Sequence, residues 1–207
     1  MTAPSPNRVI EFIFDFGSPN AYLSRKLLPG IAARTRAEVK LIPCLLGGIF
    51  KLTGNQAPFS AFAGVKGKLD YEQLELRRFV AKHGLNRFHH NPHFPMNTLL
   101  MMRGMIAAGR AGVAEAYVDA VLAGMWEDGR KMDDPEVVQM VLDEAGLAGR
   151  ALLEATQDPE VKAELVCNTE AAVTRGVFGI PTYFVGHEMF FGKERLQQVE
   201  ECLTQIG

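Results

Sequence analysis

The apolar run that begins at Val9 reads as a strand over 9–16, interrupted only by Glu11 and Asp15. Pro19 then stands in the first turn of a helix expected over about 19–35, with Leu23, Leu27, Leu28, Ile31 and Ala32 along one face. Polar and apolar positions alternate from Glu38 to Ile42, as in a half-buried strand, and Pro43 helps to end it. The result is a βαβ unit of ordinary length. From about 46 to 176 the pattern changes. Residues 46–68 read as loop with short helical turns, and helical signals follow. Tyr71 to His83 stops at Gly84, Thr98 to Ala108 is capped by Asn97 and ends in Gly109, and Val113 to Trp126 stops at Gly129. Asp134-Pro135 and Asp158-Pro159 each set an N-cap before a first-turn proline, and the second of these helices runs to Arg175, with Gly176 as its stop. Strand character returns at Thr182 to Val185 and Glu188 to Phe191 around a Gly186-His187 turn, and a last helix spans about 193–205. Residues 1–7 read as a frayed tail. The plan is βαβ, a long helical insertion, then ββα.

Length and composition add limits. A chain of 207 residues, 47% hydrophobic and 22% charged, is one soluble domain or one domain with a large insertion. Its net charge of −2 gives no electrostatic footprint for nucleic acid. Cys44, Cys167 and Cys202 form neither a Cys-x-x-Cys pair nor a metal-ligand spacing, and read as buried or semi-buried free thiols in a reducing compartment. The N-terminus lacks the apolar stretch of a signal peptide, and no window is apolar enough to span a membrane. A cytoplasmic protein is expected.

The candidate chemistry lies at two points. Ser18, in Phe14-Asp15-Phe16-Gly17-Ser18-Pro19-Asn20-Ala21-Tyr22, stands at a strand-to-helix junction, where free N–H groups favour an anion. Far downstream, Gly179-Ile180-Pro181-Thr182 places a proline directly before a second strand. With Leu45-Leu46-Gly47-Gly48-Ile49-Phe50, Phe94-Pro95-Met96-Asn97-Thr98-Leu99 and Phe191-Gly192-Lys193-Glu194-Arg195-Leu196, these fragments follow one order over nearly the whole chain after residue 8. In that order the chain resembles the 2-hydroxychromene-2-carboxylate isomerase family, in the kappa-class glutathione transferase and disulfide-oxidase-like branch of the thioredoxin superfamily. The resemblance implies an α/β thioredoxin-like domain from residues 1–46 and 177–207, and a helical insertion domain, 47–176, forming a lid.

Redox relatives carry Cys-Pro-x-Cys where this chain reads Ser18-Pro19-Asn20-Ala21, so a dithiol cycle has neither of its sulfurs. The resemblance implies that the thiol is that of glutathione, held as thiolate by Ser18; the alternative for Ser18 is a helix cap alone. It further implies a cis bond before Pro181, with Ile180 offering its backbone to the peptide, where an ordinary X–Pro bond would be trans. By the same resemblance Glu194 meets the γ-glutamyl end, although relatives usually carry aspartate there. A first-turn acid facing the helix dipole is the other reading. Lys193 suits a carboxylate or simple solvation. Asn55 and Lys66 suit glutathione or the substrate carboxylate, with Lys51 a weaker candidate, and Asn55 equally suits a turn. Asn97 either faces the site or caps its helix. Trp126 suits either a pocket wall or the core. His89, His90 and His93 lie in proline-broken loop without a zinc pattern, so no metal is expected. Met101, Met102 and Met105 read as core or apolar pocket lining, and Asp15 as structural.

The function implied is cis–trans isomerisation of an aromatic ring-cleavage ketoacid with glutathione as cofactor, in a homodimer. A kappa-like glutathione transferase or peroxidase acting on another electrophile is the alternative, as is a non-catalytic binding protein of the same fold.

Overall fold

The computed structural model describes residues 8–205, so the expected tail at 1–7 lies outside the described residues. The elements in chain order are β1 (Val9–Phe14), α1 (Pro19–Thr35), β2 (Glu38–Pro43), α2 (Leu46–Thr53), α3 (Pro58–Ala61), α4 (Lys68–His83), α5 (Leu99–Arg110), α6 (Ala114–Trp126), α7 (Pro135–Glu144), α8 (Gly149–Ala155), α9 (Pro159–Thr174), β3 (Thr182–Val185), β4 (Glu188–Phe191), a 3₁₀ turn (Lys193–Arg195) and α10 (Leu196–Gln205). The four strands form one mixed sheet in the order β2-β1-β3-β4. β1 runs parallel to β2, with Val9 opposite Glu38, and antiparallel to β3, with Ile10 opposite Val185. Helices α2 to α9 all lie between β2 and β3 in sequence. This is the thioredoxin-like sheet with a helical insertion that the resemblance implied.

β1 is central, which explains why its sequence is nearly continuous in apolar residues. On one face Phe12 stacks on Tyr183 at 5.2 Å, and the Tyr183 hydroxyl donates to Ser24 of α1 at 2.5 Å. On the other, Glu11 pairs with Arg175 just beyond α9, and the guanidinium lies 3.7 Å from the centre of the Phe184 ring. Phe14 and Phe16 continue the buried aromatic series edge-to-face, carrying the core from the sheet to Tyr117 of α6.

The Asp-Pro helix starts form as their chemistry dictates. Asp134 accepts from Glu136 N and Asp158 from Glu160 N, each with proline at the first helical position. Residues 46–68 carry the short helices α2 and α3 between loop, as expected, and Gly48 lets α2 lie against α9: a Cβ there would meet Thr169 Cγ2 at 3.1 Å. Two expectations need correction. α8 has no counterpart among the expected helices; it begins where Gly149 N donates to Asp143 Oδ1 at 3.0 Å, an N-terminal donor satisfied by the preceding helix. Cys167 is exposed rather than semi-buried, since it lies on the outer face of α9, whereas Cys44 is buried and burial pushes its thiol up to about 12.

Candidate active site

The turn between β1 and α1 is held by one carboxylate. Asp15, wholly buried, accepts from Gly17 N at 2.7 Å, from Leu46 N at 2.7 Å and from Thr98 Oγ1 at 3.1 Å. It thereby fastens the Ser18 turn to the first residue of α2 and to the N-cap residue of α5. Burial pushes its carboxyl above the usual range, against the pull of the Leu46, Gly17 and Thr98 hydrogen bonds. Gly17 is needed at this crossing: a Cβ would stand 3.0 Å from Thr98 Cγ2. Trp126 closes the turn from the other side, donating from Nε1 to Phe16 O at 2.9 Å.

Ser18 is the N-cap of α1 and is 4% exposed. Its Oγ accepts from Ala21 N at 3.2 Å and donates to Ile180 O at 3.0 Å, across 162 residues of sequence. The capping role and the meeting with the downstream proline loop are therefore both present. Pro19 has no N–H, and the N–H groups of Asn20 and Ile180 have no partner among the described residues. The Ile180–Pro181 bond is cis, as the resemblance implied, and so is Phe94–Pro95, which nothing in the sequence signals.

Gly192 N donates to Pro181 O at 2.9 Å and so brings the 3₁₀ turn Lys193–Arg195 up to the proline loop. Glu194 stands there with its carboxylate largely exposed, folded back over Gly192, whose missing Cβ leaves room for Oε2. Lys193 is not solvated as one reading expected. It is 5% exposed because its ammonium pairs with Glu194 and lies 5.1 Å from the centre of the Phe79 ring of α4. Asn55 joins the opposite wall to the proline loop, donating from Nδ2 to Phe178 O at 2.8 Å while its Oδ1 accepts from Gln56 N. The turn reading of Asn55 and its nearness to the site thus coexist.

The remaining candidates separate. Lys51 on α2 and Lys66 in the turn before α4 are exposed, with no ion-pair partner among the described residues. Asn97 is exposed and its Oδ1 accepts from Leu99 N at 2.9 Å, which is the helix-start role. Trp126 is fully buried and stacks on Phe88 at 5.8 Å, so it belongs to the core and not to a pocket wall. Met101, Met102 and Met105 are likewise buried. His90 contacts Gln73 at 3.0 Å, and no metal-holding group of three or more His, Cys, Asp or Glu occurs among the described residues. Sequence reasoning missed Thr98, whose only signal was its place at a helix start. It also missed an aromatic fringe: Phe59 beside Phe94, and Phe178 against Phe191 at 4.6 Å, all but Phe94 well exposed.

The turn therefore brings together the Ser18 hydroxyl, backbone N–H groups at Asn20 and Ile180 without partners among the described residues, and the Lys193–Glu194 ion pair, a set of donors and charges suited to a polar ligand.

The sequence pattern of the DSBA-like thioredoxin domain matches residues 9–204. A 2-hydroxychromene-2-carboxylate isomerase of Pseudomonas putida is 28% identical over 200 residues, covering 96% of this chain and 95% of its own. Human glutathione S-transferase kappa 1 is 27% identical, covering 96% and 92%. A solved structure of 2-hydroxychromene-2-carboxylate isomerase superposes with a TM-score of 0.80 at 28% identity, over 96% of this chain and 95% of that one. Among the described residues no helix is long and apolar enough to cross a membrane.

Proposed function

Because the chain belongs to the DSBA-like thioredoxin domain family, we propose that it is a glutathione-dependent isomerase, interconverting 2-hydroxychromene-2-carboxylate and trans-o-hydroxybenzylidenepyruvate. The observation that carries this reading is the Ser18 hydroxyl. It stands at the helix start where redox members have a cysteine, 3.0 Å from the carbonyl before a cis-proline, with Ala21 in place of the second sulfur. With neither sulfur present the chain has no disulfide of its own to cycle there, so any thiol chemistry at this point uses a sulfur brought by a ligand. The relatives named as isomerases and as a kappa-class transferase support that ligand being glutathione and the substrate being an aromatic ketoacid.

When bound, glutathione supplies a sulfur nucleophile that adds reversibly to the conjugated ketoacid, so that the former double bond can rotate. The chain's own residues do the rest. Ser18 Oγ–H and the Asn20 N–H hold negative charge on sulfur and favour thiolate over thiol. Ile180 aligns the peptide, and Glu194 with Lys193 receives the amino-acid head. Lys51 and Lys66 are exposed cations flanking Asn55 in the chain and take the substrate carboxylate, while Asn55 holds its segment to Phe178 O. The fringe of Phe59, Phe178 and Phe191 supplies apolar surface for the aromatic ring.

The test is an ultraviolet pH titration of glutathione with and without the protein, followed by isomerase turnover. A lowered thiol pKa in the wild type, lost in Ser18→Ala, and turnover without glutathione consumption are expected. Net consumption of glutathione would instead identify the transferase reading, which the kappa-class relatives favour.

A further inference from the structure

β1 ends at Phe14 and α1 begins at Pro19, so residues 15–18 lie between the sheet and the helix. In this stretch Ser18 N donates to Asp15 O at 3.2 Å and Gly17 N to Asp15 Oδ1 at 2.7 Å, which winds the turn around Asp15. The other carboxylate oxygen, Oδ2, accepts from Leu46 N and from Thr98 Oγ1, at the starts of two insertion helices. Neither helix is capped by the side chain at its N-cap. Leu45 of α2 has no polar group to offer, and Thr98 of α5 makes no capping bond because its hydroxyl is given to Asp15. A carboxylate with no solvent exposure is a costly way to fill space. What it supplies is direction, since each oxygen fixes donors from a different element. Ser18 needs that direction: its Oγ must reach a ligand sulfur while still accepting from Ala21 N, and hydrogen bonds weaken steeply with misalignment.

Resting on the thiol-ligand reading above, we infer that Asp15 is the positioning residue of Ser18: by tying the Ser18 turn to the starts of α2 and α5 it fixes the hydroxyl where it holds a ligand thiolate, so that the seating of the helical insertion sets thiol activation. Asp15, wholly buried, acts through Ser18 and not on the ligand. Charge and position then pull the bound thiol in opposite directions. A negative charge behind the turn disfavours a second one on sulfur, so removing the charge alone would lower the thiol's pKa. Losing the ties lets Ser18 drift and raises it.

The experiment follows thiolate absorbance of bound glutathione against pH, relative to glutathione free in solution, for wild type, Asp15→Asn and Thr98→Val. Asparagine keeps the shape but has one accepting oxygen, so it cannot take Gly17 N and Leu46 N together. Valine at 98 keeps the carboxylate with its Gly17 and Leu46 bonds and removes one tie. At a given pH Asp15→Asn is expected to hold about tenfold less thiolate, a bound-thiol pKa about one unit above wild type, and Thr98→Val about threefold less. Affinity for S-methylglutathione, which has no thiol to ionise, is expected to stay within about twofold of wild type in both. Near-ultraviolet circular dichroism checks folding, and if Asp15→Asn does not fold, Thr98→Val decides alone. A bound-thiol pKa that falls in Asp15→Asn overturns the inference, because charge and not position would then be what Asp15 contributes. An unchanged pKa in either folded variant overturns it too, as does a raised pKa with an equal loss of S-methylglutathione binding, which marks general damage. If the wild type itself leaves glutathione's thiol unshifted, the parent reading fails, and that result is distinct from all three.

Discussion

Removing the Asp15 carboxylate should loosen the junction of sheet and helical insertion and the site along with it. In Asp15→Ala, Gly17 N, Leu46 N and the Thr98 hydroxyl lose their acceptor at a position with no solvent exposure. An orphaned buried donor costs about 1–3 kcal/mol. Three of them, less the relief of a buried charge and whatever water enters, give a net loss of about 2–4 kcal/mol. Urea denaturation at pH 7, with the slope unchanged, measures it; a loss under about 1 kcal/mol would refute the clamp. The pH dependence tests the electrostatics separately through the isosteric Asp15→Asn. Burial holds the folded carboxyl above the ordinary 3.8 of the unfolded chain. As pH rises through 3.8 the unfolded state therefore loses its proton first, and stability falls until the folded group has ionised too. The stability of wild type minus that of Asp15→Asn should decline over that window and stay level above it. A difference that grows with pH would mean that the three hydrogen bonds outweigh burial and hold the folded carboxyl below its ordinary value.

Glu194→Gln should weaken glutathione binding by about tenfold, as loss of one charge-assisted contact implies, while the bound thiol's pKa stays put; calorimetry with the thiolate titration separates the two. Trp126→Phe should cost about 1–2 kcal/mol in thermal or urea unfolding, because Phe16 O loses its donor at an otherwise apolar contact. Glu127 gives the opposite pH signature to Asp15. Burial works to raise its carboxyl, but hydrogen bonds from Lys26 and Tyr22, with the charges of Lys26 and Arg87, hold it below the usual range. Its contribution should be full above about pH 4.5 and be lost as pH falls through its lower folded value, so wild type minus Glu127→Gln must grow with pH.

Features set by neighbours along the chain are legible in the sequence alone. The Asp134-Pro135 and Asp158-Pro159 starts, the Gly84 stop and the Gly186-His187 hairpin each depend on a few adjacent residues, and each forms where expected. What escapes depends on distant partners. Gly47 and Gly48 argue against a helix on propensity, yet α2 forms because its first N–H finds Asp15 and its glycine meets α9. Asn91 reads as loop, but its amide donates to Met125 O and Arg130 O, and so ties down the histidine-bearing segment. At the candidate site, Ser18, Ile180 and Pro181 are legible through motif order. The Lys193–Glu194–Phe79 contact is not, because nothing in residues 193–194 reveals that α4 will cover them.

The hydrogen bond between Ser18 and Ile180 joins two stretches that are made far apart in time. A ribosome has finished β1, α1 and every insertion helix before residue 180 appears, so Ser18 can cap α1 before its second partner, the Ile180 carbonyl, exists. A chain that stalls or is cut short within the insertion therefore lacks the Ser18–Ile180 contact altogether. The Ser18–Ile180 hydrogen bond is thus a property of the completed chain alone.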